Sequence, residues 1–225
     1  MNKPIDRTKS NLHIKEKKKK DSKIAAIKNE RKKIRNDLIS NANLIFGLDN
    51  GSTGTISCIN KVDGTISFMK TPSRVELDYT QDIKYINRID VVELKKWFET
   101  NISLMKDDNR FIIVILERPM KNPTRFEQSI SACRAFEATL IILEELNLKY
   151  IVIDSKQWQH YFFGKNTTNI DLKLESMRKG LDVLKKNFKK QYNEISEIIK
   201  NHGDADSLLI CQYIIDQNTK SINNC

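Results

Sequence analysis

Three short apolar stretches follow residue 43, and each is bounded by turn-forming residues. They cover 44–49, 54–60 and 65–70, and the polar stretch KVDG at 61–64 separates the second from the third. Short apolar runs between glycine, serine, threonine and aspartate are typical of β-strands, and a short polar connection is typical of a hairpin. The pattern predicts three antiparallel strands, with Asp49 at the carboxyl end of the first.

The middle of the chain changes to helical spacing and then to a continuous apolar run. Residues 86–102 predict an amphipathic helix. Its expected buried side carries Ile89, Val92, Trp97 and Phe98. Residues 111–117, FIIVILE, are apolar up to the final glutamate, which is typical of a central strand covered on both faces. A helix from about 125 to 146 and a strand at 149–154 are expected to follow.

The last third of the chain predicts helices. SKQWQHYFF at 155–163 predicts a short helix with Ser155 as its N-cap. Residues 170–190 predict a long amphipathic helix, and a last helix is expected to start near Asp204. The apolar stripe of the long helix, which indicates core or a dimer seam, consists of Ile170, Leu174, Met177, Leu181, Leu184 and Phe188. Lysines cover the opposite side, by default as a solvated face; the alternative is that they flank a DNA groove.

The order of predicted elements indicates the fold class. Three antiparallel strands, a helix, a central strand, a helix, a strand and further helices predict an α/β domain with a mixed sheet and helices on both faces. The 225 residues suffice for one ordinary domain and an extension. We expect the globular domain to span 44–221.

The positive charge lies in the amino-terminal segment. Residues 1–43 contribute +9 of the formal net charge of +10, and they contain no Trp, Tyr, Phe or Gly. Lysines occupy 17–20 without interruption. We expect a flexible or partly helical basic tail, which would attract a polyanion because neutralised phosphates release counterions. The same composition also fits a localisation signal.

Cysteine usage and hydropathy indicate the compartment. The four cysteines are scattered without CxxC spacing, which predicts neither a zinc site nor a disulfide framework and favours a reducing cytosol. The longest apolar run, FIIVIL, is too short to cross a membrane, and we recognise no signal peptide at the start. We therefore expect a cytoplasmic protein without a membrane partner.

Three carboxylates stand at the ends of apolar elements. Asp49 ends the first strand, Glu117 ends the most apolar strand, and Asp206 lies near the start of the last helix. If the two strands are neighbours, their acids meet at the carboxyl edge of the sheet, where α/β proteins bind ligands. All-oxygen sets of this kind suit Mg²⁺, and two ions about 3.5–4 Å apart would clamp a phosphoryl displacement.

Each acid also has an ordinary structural alternative. Aspartate before glycine is a common turn former, which fits Asp49. Glu117 would be a solvated strand end paired with Arg118. Either Asp204 or Asp206 would be a helix N-cap.

A fourth ligand is expected close to Asp206. Positions two apart on a helix point roughly 200° from each other, so Asp204 shares a site with Asp206 only if it lies in the turn before the helix. His202 would face the same way as Asp206 if the helix began early, but Gly203 disfavours that start. We therefore rank Asp204 above His202.

The stretch GLDNGSTGTI at 47–56 also resembles the first phosphate loop of sugar kinases and actin-like ATPases. Those proteins need two domains of this kind, a second Asp-Gly phosphate loop and a glycine-rich adenosine site. After Gly64 only Gly164, Gly180 and Gly203 remain, each isolated. The sequence therefore predicts no nucleotide cofactor.

Four motifs together resemble the RuvC-like Holliday junction resolvases, and especially their phage-encoded branch. They are GLDNGSTG at 47–54, LERPMKNPTRFEQSISACRAFEATLIILE at 116–144, IDSKQWQ at 153–159 and HGDADSLLI at 202–210. The resemblance covers about residues 44–216. It implies the ribonuclease H-like fold and a homodimer that makes paired nicks across a four-way DNA junction.

The resemblance also implies the metal ligands. Asp49 matches the aspartate that bridges both metal ions, Glu117 the glutamate of the fourth strand and Asp206 the aspartate of the final helix. Bacterial members carry an acid or a histidine three residues before that last aspartate, where this chain has Gly203. The basic tail has no counterpart in them either.

The loop after Glu117 would approach the DNA. Arg118, Lys121, Arg125 and Lys156 are candidate phosphate contacts, and Met120 and Phe126 are candidate wedges beside unstacked bases. The alternative for the two wedges is ordinary packing over the following helix. Trp158 is expected in the core.

The sequence thus predicts a Mg²⁺- or Mn²⁺-dependent endonuclease that resolves four-way and related branched DNA by phosphodiester hydrolysis, in the cytoplasm of a bacterial host. Two ions would be held by Asp49, Glu117 and Asp206, with Asp204 assisting. One alternative is a catalytically inactive junction-binding protein of the same fold, which Gly203 favours. Another is a ribonuclease H-like nuclease that acts on RNA–DNA hybrids.

Overall fold

The structure is a computed structural model. It describes residues 24–27, 29–30, 33–49, 51–78, 84–104, 111–119, 123–168 and 170–222. The chain forms two compact units, 1–40 and 41–225. The described residues of the first unit are helical, and the run 33–41 is called α1. The lysine block at 17–20 lies outside the described residues.

Seven strands form two sheets in the described part of the second unit. They are β1 (Leu44–Leu48), β2 (Thr55–Asn60), β3 (Thr65–Lys70), β4 (Ser73–Leu77), β5 (Tyr85–Ile89), β6 (Ile112–Glu117) and β7 (Lys149–Ile153). The main sheet has the order β3-β2-β1-β6-β7, and β4 pairs with β5 alone. Strands β1 to β3 are antiparallel, whereas β6 and β7 run parallel to β1. This mixed sheet confirms the predicted α/β class and is consistent with a ribonuclease H-like fold.

Six helices complete the unit in its described residues. They are α2 (Val91–Ser103), α3 (Phe126–Glu145), α4 (Ser155–Phe163), α5 (Leu172–Asn187), α6 (Tyr192–His202) and α7 (Asp206–Ile222), with short 3-10 turns at Pro123–Arg125 and Lys189–Gln191. None of them has the length and apolar content needed to span a bilayer.

Alternation along the central strands divides the core between the two faces of the sheet. Phe46 and Val114 are paired neighbours on β1 and β6, and they face α2 and α3, where Phe98 and Leu143 pack against them. Because successive strand residues point to opposite faces, Ile45 faces the other side. There α7 covers β1 and β2.

The helix α7 approaches β1 closely at a glycine. A β-carbon on Gly47 would lie 2.4 Å from the backbone oxygen of Ser207 and 2.7 Å from Cys211 Sγ. The thiol of Cys211 also reaches the backbone oxygen of Ile45, at 3.5 Å. Only a residue without a side chain lets the first turns of α7 come this near to the central strand.

The boundary of the second helix differs from the prediction. Residues 85–89 form β5, and α2 begins at Val91, so the expected helix at 86–102 was wrong in its first turn. The reason is Asp90, whose carboxylate accepts the backbone N–H groups of Val92 and Glu93 and caps the helix. Ile89 and Phe98 are buried as predicted, whereas Val92 is exposed.

Two further expectations need correction in the last third. Asp154, not Ser155, caps α4, and it shares a capping box with Gln157. Leu174 in the predicted stripe of α5 is exposed, because the buried side of this helix is formed by Ser176, Gly180 and Leu184. The strand β4 and the helix α6 were not predicted.

We predict that Gly47→Ala lowers the free energy of unfolding by about 1–3 kcal/mol, the usual cost of overpacking a closed core. Denaturant unfolding measures it. Gly51→Ala is the matched control, because a β-carbon there would meet its nearest neighbour at an ordinary 3.6 Å. Equal stability of the two variants would contradict the close contact between α7 and β1.

Candidate active site

The carboxyl edge of the main sheet brings two of the predicted acids together. Leu48 of β1 pairs with Leu116 of β6 in parallel register, so Asp49 and Glu117 occupy the next positions on neighbouring strands. Both line a cleft of about 400 Å³. The adjacency on which the sequence argument depended is therefore present.

A tight turn fixes Asp49 at this edge. Gly51 N–H donates to the backbone oxygen of Asp49 at 2.8 Å, and Gly54 N–H donates to that of Gly51 at 3.0 Å. A β-carbon on Gly54 would lie 2.5 Å from the backbone oxygen of Asp49 and 2.6 Å from its Oδ2. The glycine-rich stretch therefore serves as a turn that packs directly against the aspartate.

Glu117 has a buried aromatic partner. The Nε1–H of Trp158, which is only 1% exposed, donates to Glu117 Oε2 at 2.8 Å. Arg118 Nε lies 2.9 Å from Asp154 Oδ1 in an exposed ion pair. Glu117 is thus a partly buried carboxylate held by an indole, and not a solvated strand end.

Asp206 is held by a serine from another helix. It is the first residue of α7, and its Oδ1 accepts a short hydrogen bond from the hydroxyl of Ser176 on α5. The same hydroxyl oxygen accepts the backbone N–H of Ala205 at 3.1 Å. The serine therefore connects α5 to both the side chain and the backbone at the start of α7.

Asp204 lies in the turn before α7, which is the condition that the sequence set for it to share a site with Asp206. Its side chain is buried, and Oδ2 lies 3.7 Å from Lys173 Nζ and 3.4 Å from His202 Nε2. Its Oδ1 has no hydrogen-bond partner among the described residues. His202 ends α6, and Gly203 follows in the left-handed conformation at φ 90°. The ranking of Asp204 above His202 stays a prediction.

The charges of the neighbouring acids act on Asp49. Burial raises the pKa of Asp49 well above its ordinary value, and the charges of Glu117, Asp206 and Asp204 raise it further, against the opposing effect of Lys173. We call Asp49, Glu117, Asp204 and Asp206 the acidic site.

In two members of the acidic site, a hydrogen-bond donor also affects the pKa of the carboxylate. Burial raises the pKa of Glu117 to about 7, although the Trp158 hydrogen bond lowers it and the charge of Asp206 adds to the rise. Burial raises the pKa of Asp206 to about 6, where the Ser176 hydrogen bond opposes it and the charge of Asp204 reinforces it.

The donor chemistry of the acidic site fits a hard divalent cation. Its ligands would all be carboxylate oxygens, which suit Mg²⁺ and Mn²⁺, and the buried Oδ1 of Asp204 lacks a partner within the described part of the chain. No three His, Cys, Asp or Glu side chains of the described residues stand close enough to hold an ion as they are placed. An ion would have to draw the carboxylates together.

The candidate DNA contacts surround the same edge. Arg118 lines the cleft, and Arg125 and Lys156 are exposed. Phe126 is 68% exposed, so it does not pack over the following helix as the alternative required. It lines a second cavity of about 490 Å³ that shares Ser52, Gln128 and Ser131 with the cleft. Met120 and Lys121 lie outside the described residues.

Three residues that contact the acids were not identified as their partners from the sequence. Trp158 was expected only as core, although a buried indole N–H normally finds an acceptor. Ser176 was overlooked within the stripe of α5, and Lys173 was taken as part of a solvated face. Of these three residues, only Trp158 has a contact that a general rule anticipates, because a buried indole N–H needs an acceptor.

Comparisons with known proteins leave the family open. No family model matches the chain, and no curated protein matches it. Among solved structures it is similar to RuvC of Thermus thermophilus, with 12% sequence identity and a TM-score of 0.37 over 78% of this chain and 97% of that one. We draw no conclusion about function from a likeness of this size.

We predict that the protein without divalent ions loses stability as the pH rises from about 4.5 to about 7. Glu117 has an ordinary pKa of 4.5 when unfolded and about 7 when folded, so in this window the unfolded state releases its proton first and is favoured. The free energy of unfolding in chelator, measured at pH 4.5 and 7.5, should fall less for Glu117→Gln than for wild type.

Glu93→Gln changes an exposed glutamate of α2 in the same way and is the control. If Glu117→Gln and Glu93→Gln kept the same pH dependence as wild type, Glu117 would not be held protonated by its surroundings.

Proposed function

We propose that this protein is a divalent-metal-dependent DNA endonuclease that cleaves four-way and related branched junctions. The observation that supports it best is the gathering of four buried or partly buried carboxylates from three separate parts of the chain at one edge of the sheet, where the charges of the other three raise the pKa of Asp49. Like charges gathered in a poorly hydrated place destabilise a fold, so an arrangement of this kind is typical of a site whose charge is balanced by a bound cation.

The acidic site would hold one or two Mg²⁺ or Mn²⁺ ions, which supply a polarised phosphate and an activated water when bound. Asp49 would be the central ligand of the site, since the charges of all three other acids raise its pKa. Glu117 and Asp206 would complete the ligands, with Asp204 beside them. Lys173, which lies 3.7 Å from Asp204, limits the net negative charge.

The choice of substrate rests on the sequence motifs and on the surface beside the acids. Arg118 in the cleft and the exposed Lys156 would bind phosphates, and the exposed ring of Phe126 would stack against an unpaired base. Paired nicks at a symmetric junction would require two copies of the chain, so we propose a homodimer. The basic tail would add affinity without choosing the site.

We predict that wild type nicks a synthetic four-way junction in Mg²⁺ and that Asp49→Asn and Glu117→Gln lower the rate by at least about 100-fold, because a metal ligand is lost. Single-turnover cleavage on denaturing gels measures this. Asp182→Asn and Glu93→Gln, both at exposed acids, are matched controls that should cut as wild type does. If Asp49→Asn and Glu117→Gln cut as fast as wild type, the assignment of the acidic site is wrong.

The same assay separates the alternatives. Tight junction binding without nicking under any divalent ion would favour an inactive junction-binding protein. Faster cleavage of an RNA–DNA hybrid than of the junction would favour a ribonuclease H-like nuclease.

We predict that deletion of residues 1–40 flattens the salt dependence of junction binding and leaves cleavage at low salt unchanged. Each lost phosphate contact removes about 0.9 from the slope of log K against log salt concentration. Binding titrations between low and physiological salt measure the slope. Replacement of the four lysines at 17–20 by glutamine should remove part of it, and an unchanged slope in both variants would exclude the tail from DNA binding.

A further inference from the structure

We propose that Trp158 and Ser176 are positioning residues that set the carboxylates of Glu117 and Asp206 for a divalent cation. Each donates a neutral hydrogen bond to one oxygen of its carboxylate. The inference rests on the proposed metal-dependent function of the acidic site and extends it to two residues that bind neither metal nor DNA.

The indole of Trp158 is held rigidly. It lies on α4, whose start is fixed by the capping box of Asp154 and Gln157, and its ring packs edge-on against Phe163 at 5.7 Å between centroids. An indole N–H can only donate, and its position depends on two torsions that burial fixes. The acceptor, Glu117 Oε2, is therefore held in one orientation.

The hydroxyl of Ser176 has its proton directed by its surroundings. Its oxygen accepts the N–H of Ala205, so the single hydroxyl proton is left for Asp206. The helix α5 is held at this distance by Gly180, where a β-carbon would lie 2.2 Å from that of Ala205. The donor and the carboxylate are thus located by the same packed contact.

The neutrality of both donors is the feature that points to a cation. An arginine or lysine at either position would orient the carboxylate but would also cancel its charge. Trp158 and Ser176 orient it without adding a positive charge of their own.

The orientation should matter more for one metal than for another. Mg²⁺ requires near-ideal octahedral geometry, whereas Ca²⁺ accepts flexible ligand sets and both oxygens of one carboxylate. A carboxylate that is released from its hydrogen bond can rotate to offer both oxygens. Loss of either donor should therefore weaken Mg²⁺ binding more than Ca²⁺ binding.

Calorimetric titration of the full chain with MgCl₂ and with CaCl₂, in the absence of DNA, tests this inference. Trp158→Phe and Ser176→Ala should each raise the Kd for Mg²⁺ by about 10–100-fold, the usual effect of losing a partner of a metal ligand, and raise that for Ca²⁺ clearly less. Trp97→Phe and Ser196→Ala are matched controls, because they change a partly buried tryptophan that packs on the core and a buried serine whose hydroxyl donates to the backbone oxygen of Asn193 within α6. Both controls should bind as wild type does.

A second measurement covers the case in which Trp158→Phe fails to fold. The Trp158 indole is replaced by benzothiophene, which keeps the ring shape and lacks the N–H. This variant should show the same selective loss of Mg²⁺ affinity. Because the chain has two tryptophans, Trp97→Phe also leaves Trp158 as the sole indole, and its fluorescence should change saturably as Mg²⁺ is added.

The outcomes separate the two proposals. If wild type binds no divalent ion, the proposed function fails and this inference fails with it. If wild type binds Mg²⁺ and the Trp158 and Ser176 variants bind it equally well, or lose Mg²⁺ and Ca²⁺ affinity alike, only the positioning role is overturned.

Discussion

The close approach of α7 to strand β1 is the contact on which the rest of the structure depends. It requires small residues on the covered face of the sheet, where Gly47 offers no side chain and Ser57 contacts Cys211 at 3.3 Å. Thr55 accepts the N–H of Ser207 at 3.3 Å beside them. Asp206, the first residue of α7, directly precedes Ser207. The packing of Ser207 against the sheet therefore also determines how far Asp206 lies from the end of β1.

The acidic site is costly to the fold by itself. Burying like charges destabilises the native state unless protons, donors or a cation compensate them. Burial raises the pKa of Glu117 to about 7 and that of Asp206 to about 6, so bound protons would offset part of this cost when no cation is present. The hydrogen bonds that Trp158 and Ser176 donate to these two acids come from neutral groups, and the charge of Lys173 also acts on Asp206. By this argument the acids lower stability at this edge of the sheet, as is common where a protein binds a charged ligand.

The backbone conformation at the end of α6 explains the glycine at position 203. The helix α6 ends there, and Gly203 adopts a positive φ that L-residues avoid, so a side chain at this position would strain the turn. The turn then brings Asp204 inward and buries it. Gly203 is thus the cap of α6, and the residue that follows it is an aspartate.

The local pattern of apolar and polar residues predicted the strands β1, β2, β3, β6 and β7. It also placed Asp49 and Glu117 at strand ends, because each acid directly follows an apolar run. It assigned residues 86–89 to a helix although they belong to a strand, because their apolar spacing fits both. The helix begins only after its cap, Asp90. Only tertiary structure decided the partners of the acids. Trp158 and Glu117 are 41 residues apart and Ser176 and Asp206 are 30 apart, and contacts across such separations follow from how helices pack on the sheet, which no local periodicity records.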